Sequence, residues 1–429
     1  MVSLSSTKRA FGAALVVLVV TACTDAPNPS APAVGRLDDA ATAFHSEGLG
    51  AFQRYVAIGT SLSMGVASDG AIAASQEQSW PAQLARIANR EMTLPLIGGT
   101  GCRSPLRAPL ASGIRLSGEG AGADPATLSC SPNLDGIVLP TQNLAINGAS
   151  TQNALFTTPE NVTDASNRLV IARVLPPGAT QISALIEQNP KIVSVEFGAN
   201  EVLGSRTGIA IPGVSMFPYA AWAPLYTQLV DQVAQVAKHG ILVGLIRDAA
   251  TFPGFRNGSE LYADRAMFAA AFNVTVSADC DGSPNLLFVP VRVPTAVATG
   301  VAMRNAGAGP YTLSCTGGPT TLMDFVLTPA EVSIVNGQLA QMNAYIRAEA
   351  ERVGFAHFEL EELFGRSDIK PRFSVVALMT SQQPYGVYTS LDGIHPSAEG
   401  QRVIAEAAAR AIDRRYGFNM LGAALIASR

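Results

Sequence analysis

Four stretches of the chain hold residue types suited to nucleophilic chemistry. In residues 55–65, YVAIGTSLSMG, an apolar run stops at Gly59 and is followed by Thr60, Ser61, Leu62 and Ser63. That pattern is a buried strand delivering a serine to a turn. Far downstream, LDGIHPS places Asp392 and His395 three residues apart, in a turn stopped by Pro396. A serine hydroxyl must lose its proton as it attacks, so it needs a base within hydrogen-bond reach. A histidine base needs a carboxylate on its other nitrogen, which fixes the tautomer and stabilises the imidazolium. The spacing lets Asp392 face Nδ1 of His395 while Nε2 faces Ser61. Between these ends, NLAINGAS and EFGANE carry Gly148 and Asn200. A glycine N–H that substrate can approach, a side-chain amide and the Ser61 N–H together supply the donors a developing oxyanion needs.

Alone, each patch reads as an ordinary loop, because Gly, Ser and Asn favour turns for backbone reasons. Their order carries more. Short apolar runs at 54–58, 143–146, 192–197, 241–246 and 355–360 read as buried parallel strands. Helical patterns separate them at 80–90, 220–238, 328–352 and 396–414. Thr328, Pro329 and Glu331 form a helix start with a cap, a first-turn proline and an acid. This alternation predicts an α/β fold with a mostly parallel sheet. The four patches follow the strands, or precede the last helix, and ligand sites of such sheets lie at that edge.

At this point the sequence resembles the SGNH/GDSL hydrolase superfamily, named for the Ser, Gly, Asn and His that stand in these blocks in this order. The resemblance runs from about residue 53 to 415, and SWPAQLAR, LTPAEVSIVNGQLAQMNAYI and DGIHPSAEGQRVIAEA read like its bacterial lipoprotein members. It implies a three-layer α/β/α, flavodoxin-like domain and a carboxylester hydrolase that needs no cofactor and no metal. Carried over residue by residue, Ser61 is the nucleophile, His395 the base and then the acid, and Asp392 its orienter. Ser61 N–H, Gly148 and Asn200 form the oxyanion hole. The chain departs from the pattern at Thr60 and Glu201, where the family carries aspartates. Esterase or lipase, carbohydrate acetyl-esterase and lysophospholipase all fit these blocks, with a small-molecule, lipid or glycan ester as substrate. A different class of function, a surface-binding lipoprotein on a hydrolase scaffold whose chemistry has decayed, rests on Thr60 and Glu201.

The rest of the chain bounds these expectations. With 29 Lys and Arg against 33 Asp and Glu, the net charge is −4, without the basic stripe that nucleic acid demands. Lys8 and Arg9, an apolar stretch at 13–20 and then small residues make a secretory signal over residues 1–22. Val20-Thr21-Ala22-Cys23 resembles a bacterial lipobox, so Cys23 is expected to carry lipid at the cell envelope, with residues 23–50 as a flexible tether. Residues 51–429 then form a single domain. Cys102, Cys130, Cys280 and Cys315 in an exported chain imply two disulfides. Of the three pairings the sequence-local one is expected, Cys102–Cys130 and Cys280–Cys315, each pinning a loop-rich insertion at about 99–135 and 250–327. His45, His239 and His357 read as structural, and Trp80, Trp222 and Tyr385 as core or rim residues.

Overall fold

The computed structural model describes residues 50–318 and 323–422. The signal segment, Cys23, nearly all of the tether and His45 lie outside the described residues. The strands are β1 (Tyr55–Gly59), β2 (Ile192–Glu196), β3 (His239–Gly244), β4 (Phe255–Asn257), β5 (Val274–Val276), β6 (Leu286–Phe288), β7 (Tyr311–Leu313), β8 (Val326–Leu327) and β9 (Ala356–Glu359). The central sheet runs β1–β2–β3–β9, all parallel, with Tyr55 beside Ile192, Ile192 beside His239 and Ile241 beside Ala356. Every residue of β1 and of β2 is buried, so both faces of the sheet are covered, as all-parallel pairing requires. This is why these strands read as continuous apolar runs instead of alternating ones.

The strand expected at 143–146 is reduced to one parallel bridge, Ala57 to Asn143. Backbone bonds from Leu144 to Ala57 O (2.8 Å) and from Ile146 to Gly59 O (3.1 Å) keep it beside β1. On the other side the Asn143 amide bonds locally: its Oδ1 accepts from Ala145 N–H and its Nδ2 donates to Ser63 O. Counting this segment as the edge, the spatial order is the flavodoxin-like 2-1-3-4-5. Order reverses at β1, which opens a crevice at its carboxyl end.

Helices Tyr219–Val236 and Pro329–Val353 pack together, the second against β3 and β9. Ala398–Tyr416 packs with Trp80–Ile87 and also lies against β9 and β3. These are the four helices the periodicity predicts, with ends shifted by a few residues. Thr328 caps its helix as expected: Thr328 Oγ1 accepts from Glu331 N–H, and Glu331 Oε2 accepts from Thr328 N–H. Trp80, Trp222 and Tyr385 are core residues, and Phe418 and Met420 of the C-terminal tail are buried. No helix among the described residues is long and apolar enough to cross a membrane.

Both disulfides form in the expected pairing. The first insertion is a loop with two short 3-10 turns, Leu110–Ser112 and Pro125–Thr127. The second is not the loop-rich stretch its composition suggests. It holds helices Gly258–Ala263, Arg265–Phe272 and Val289–Asn305, an antiparallel sheet β4–β6–β8 and a parallel pair β5–β7. Phe268, Val274, Leu287, Val293 and Leu313 close a second apolar core, and both cysteines of the pair Cys280–Cys315 are fully buried in it. Gly, Pro and Thr between these positions break the periodicity that would have marked them.

Candidate active site

Thr60 ends the strand region and the chain turns at once into a single helical turn, Ser61–Met64, closed by Gly65 at φ +82°. Neighbouring elements grip this turn from several sides. Gln181 Nε2 donates to Gly59 O (3.1 Å), Asn143 Nδ2 to Ser63 O (2.8 Å) and Gln401 Nε2 to Leu62 O (3.1 Å). The Asp392–His395 turn is closed by Ser390 N–H to His395 O (2.9 Å), with Gly393 at φ +70°. Ser397 then caps the last helix by accepting from Gly400 N–H.

The two turns meet. His395 Nε2 lies 2.8 Å from Ser61 Oγ, and His395 Nδ1 lies 2.8 Å from Asp392 Oδ2. Ile394 and His395 donate their backbone N–H groups to Asp392 Oδ1, each at 2.8 Å. All three side chains are buried. Burial opposes the imidazolium, but the charge and hydrogen bond of Asp392 outweigh it and hold the His395 pKa above the ordinary histidine value. Burial likewise opposes the Asp392 carboxylate, and His395 with the two backbone donors holds its pKa below the usual value.

Ser61, Asn200 and His395 line one cleft, whose other walls are mostly apolar and include Leu245, Phe252, Phe255, Phe288, Leu339 and Phe364. Asn200 stands on the short helix Ala199–Leu203, entered through Gly198 at φ +118°. Its Nδ2 donates to Ala149 O at 2.7 Å, and an amide carries a second N–H. Gly148, at φ +79° with open space where a Cβ would stand, lines a neighbouring depression with Asn147 and Asn153. Its neighbour Ala149, which accepts from Asn200 Nδ2, joins it to the serine cleft. Arg206 is on the cleft wall; burial holds its guanidinium below the ordinary value, against the charges of Asp69 and Asp392.

Both departures from the family pattern have structural partners. Thr60 donates its N–H to Glu196 Oε2 at 3.0 Å, and its hydroxyl lies 2.9 Å from each Glu196 oxygen. Ser63 Oγ donates to Glu196 Oε2 at 3.0 Å and accepts from Trp80 Nε1 at 3.1 Å. A carboxyl group therefore does hold the serine turn, but it comes from the end of β2. Glu201 is buried; its Oε1 accepts from Thr151 N–H at 2.7 Å, and burial raises its pKa.

In the sequence, the signal for Glu196 is an acid closing a largely apolar strand, since a carboxylate is not buried without donors. Asp69, whose backbone N–H donates to Asp392 Oδ2 at 2.5 Å, left no signal of this kind. Among the described residues no cluster of His, Cys, Asp or Glu could hold a metal ion.

No family model matches the chain, and no curated protein matches it. Solved structures similar to it include a point mutant of an acetyl-xylooligosaccharide esterase from Geobacillus, at 11% identity and a TM-score of 0.34, over 86% of this chain and 95% of that one. An extracellular lipase from Streptomyces rimosus is 13% identical with a TM-score of 0.31, over 83% of this chain and 98% of that one.

Proposed function

We propose that this protein hydrolyses carboxylic esters through an acyl-enzyme on Ser61. The observation that carries the reading is the relay Ser61–His395–Asp392, with 2.8 Å at both contacts, at the carboxyl edge of a parallel sheet. Ser61 Oγ attacks the acyl carbon as His395 Nε2 takes its proton. The imidazolium is stabilised by Asp392 and returns the proton to the leaving alkoxide. Water, deprotonated by the same nitrogen, then attacks the ester and releases the acid and Ser61. The oxyanion of each tetrahedral intermediate is held by Ser61 N–H and the free amide N–H of Asn200, with Gly148 N–H as third donor. The apolar cleft beside Ser61 favours an acyl chain of several carbons over the acetyl group of a decorated sugar.

The test compares wild type with Ser61→Ala, both lacking the first 49 residues, on p-nitrophenyl esters from acetate to decanoate. Loss of the nucleophile lowers kcat on the order of 10⁴-fold or more. Equal turnover by the two proteins on every chain length refutes the reading.

A further inference from the structure

Resting on the hydrolase reading above, we infer that Arg115 and Asp69 are positioning residues. Through them, the first disulfide-stapled insertion orients the acid Asp392 for His395.

The link is a tight turn just past the nucleophile. Ala67 and Gly70 exchange backbone hydrogen bonds of 3.0 and 3.2 Å, leaving Ser68 and Asp69 at its tip. Both have positive φ, +55° and +64°. A non-glycine pair in that region persists only where its surroundings over-determine it. The tip points its amides at the triad turn. Ser68 N–H donates to Ser390 Oγ at 2.8 Å, and Asp69 N–H to Asp392 Oδ2 at 2.5 Å. That oxygen is the one His395 Nδ1 bonds. Asp392 Oδ1 is fixed by its own turn, through Ile394, His395 and Ser390. Asp69 N–H is thus the donor to Asp392 that comes from outside the triad turn.

The insertion is what holds the tip. Leu106 N–H donates to Ser68 O at 2.7 Å, and Cys102 exchanges backbone bonds with Ala71 at 2.8 and 3.1 Å. Gly70 lies so close that a Cβ there would stand 2.0 Å from Arg103 O. Arg115 closes the grip. Its side chain is 4% exposed, with Nη2 at 2.6 Å from Asp69 Oδ2 and Nη1 donating to Ser104 O at 2.8 Å. A buried guanidinium has a strong demand for a carboxylate partner, and Asp69 is drawn onto the insertion by it. Cys102–Cys130 fastens the same loop at its base. What the insertion adds is the angle at which Asp392 meets the imidazole.

The experiment is a double-mutant cycle on p-nitrophenyl butyrate. Arg115→Met and Asp69→Asn are each measured in the wild-type and in the Asp392→Asn background. Asp69 is half exposed and asparagine tolerates positive φ, so Asp69→Asn stays folded if Arg115→Met does not. In the wild-type background each lowers kcat about tenfold with KM unchanged. In the Asp392→Asn background each lowers it less than twofold, because the acid they orient is gone. Equal losses in both backgrounds, or a change confined to KM, overturn the inference while leaving the hydrolase intact. Wild type no faster than Ser61→Ala overturns the hydrolase reading itself.

Discussion

Glu196 is the residue that answers how a serine turn is held when threonine precedes the serine. Trp80 Nε1 can only donate, so the Ser63 hydroxyl it bonds must donate onward to Glu196 Oε2. Thr60 N–H donates to the same oxygen, which leaves Oε1, facing the Thr60 hydroxyl, to carry a proton. Burial pushes this carboxyl up to about 7, although Thr60 and Ser63 pull the other way. The sign of the pH effect follows. The unfolded carboxyl releases its proton near 4.5, the folded one near 7, so between them the folded state holds more protons and stability falls as pH rises. Across that window the loss is about 3 kcal/mol. Glu196→Gln, which cannot titrate, should lack this decline in urea unfolding at pH 5 and pH 8. An unchanged difference between the two pH values in that variant contradicts the assignment.

At the scale of elements, the site is made by ends of strands, where short turns are forced into unusual backbone. β2 ends at Glu196, and two residues on Gly198 turns the chain into the helix that carries Asn200. Its φ of +118° is one that side chains avoid, and a Cβ there would lie 3.1 Å from Met342 Cε and 3.3 Å from Leu245. Gly198→Ala should therefore cost about 1–3 kcal/mol of stability. It should also lower kcat about tenfold as Asn200 shifts from the cleft. The unfolding midpoint and p-nitrophenyl butyrate turnover check the two parts separately; full activity in a destabilised protein would free Asn200 of its role. Helix starts were easier to foresee than these turns. Thr328-Pro329-Ala330-Glu331 carries its whole capping logic within four residues, whereas nothing beside Asn143 announces that its amide will reach Ser63 O.

For the molecule as a whole, the two insertions do different work. The first reaches Asp392 through Asp69; the second supplies part of the cleft wall, through Phe255 on β4 and Phe288 on β6, whose rings meet edge to face at 5.4 Å. If that wall bounds the acyl chain, Phe288→Leu deepens the cleft. The ratio of kcat/KM for decanoate over butyrate esters should then rise about tenfold with acetate unaffected. An unchanged chain-length profile places the acyl chain elsewhere.

What the sequence determined alone is what neighbours within a few residues decide. The apolar run of β1, the Asp392–His395 spacing and the helix caps all belong here, and the alternation of such runs with helical stretches gives the parallel α/β class. What only the tertiary structure decided spans long separations. His395 meets Ser61 across 334 positions, Glu196 meets Thr60 across 136, and Arg115 meets Asp69 across 46. The serine–histidine meeting was legible because chemistry demands that pair and few residues can supply it. The carboxylate from β2 and the buried guanidinium were not. Their partners are backbone amides, a hydroxyl and a half-exposed acid, groups the chain offers at many positions. Which of them face each other is set by the order of strands in the sheet and by the packing of loops over its carboxyl edge.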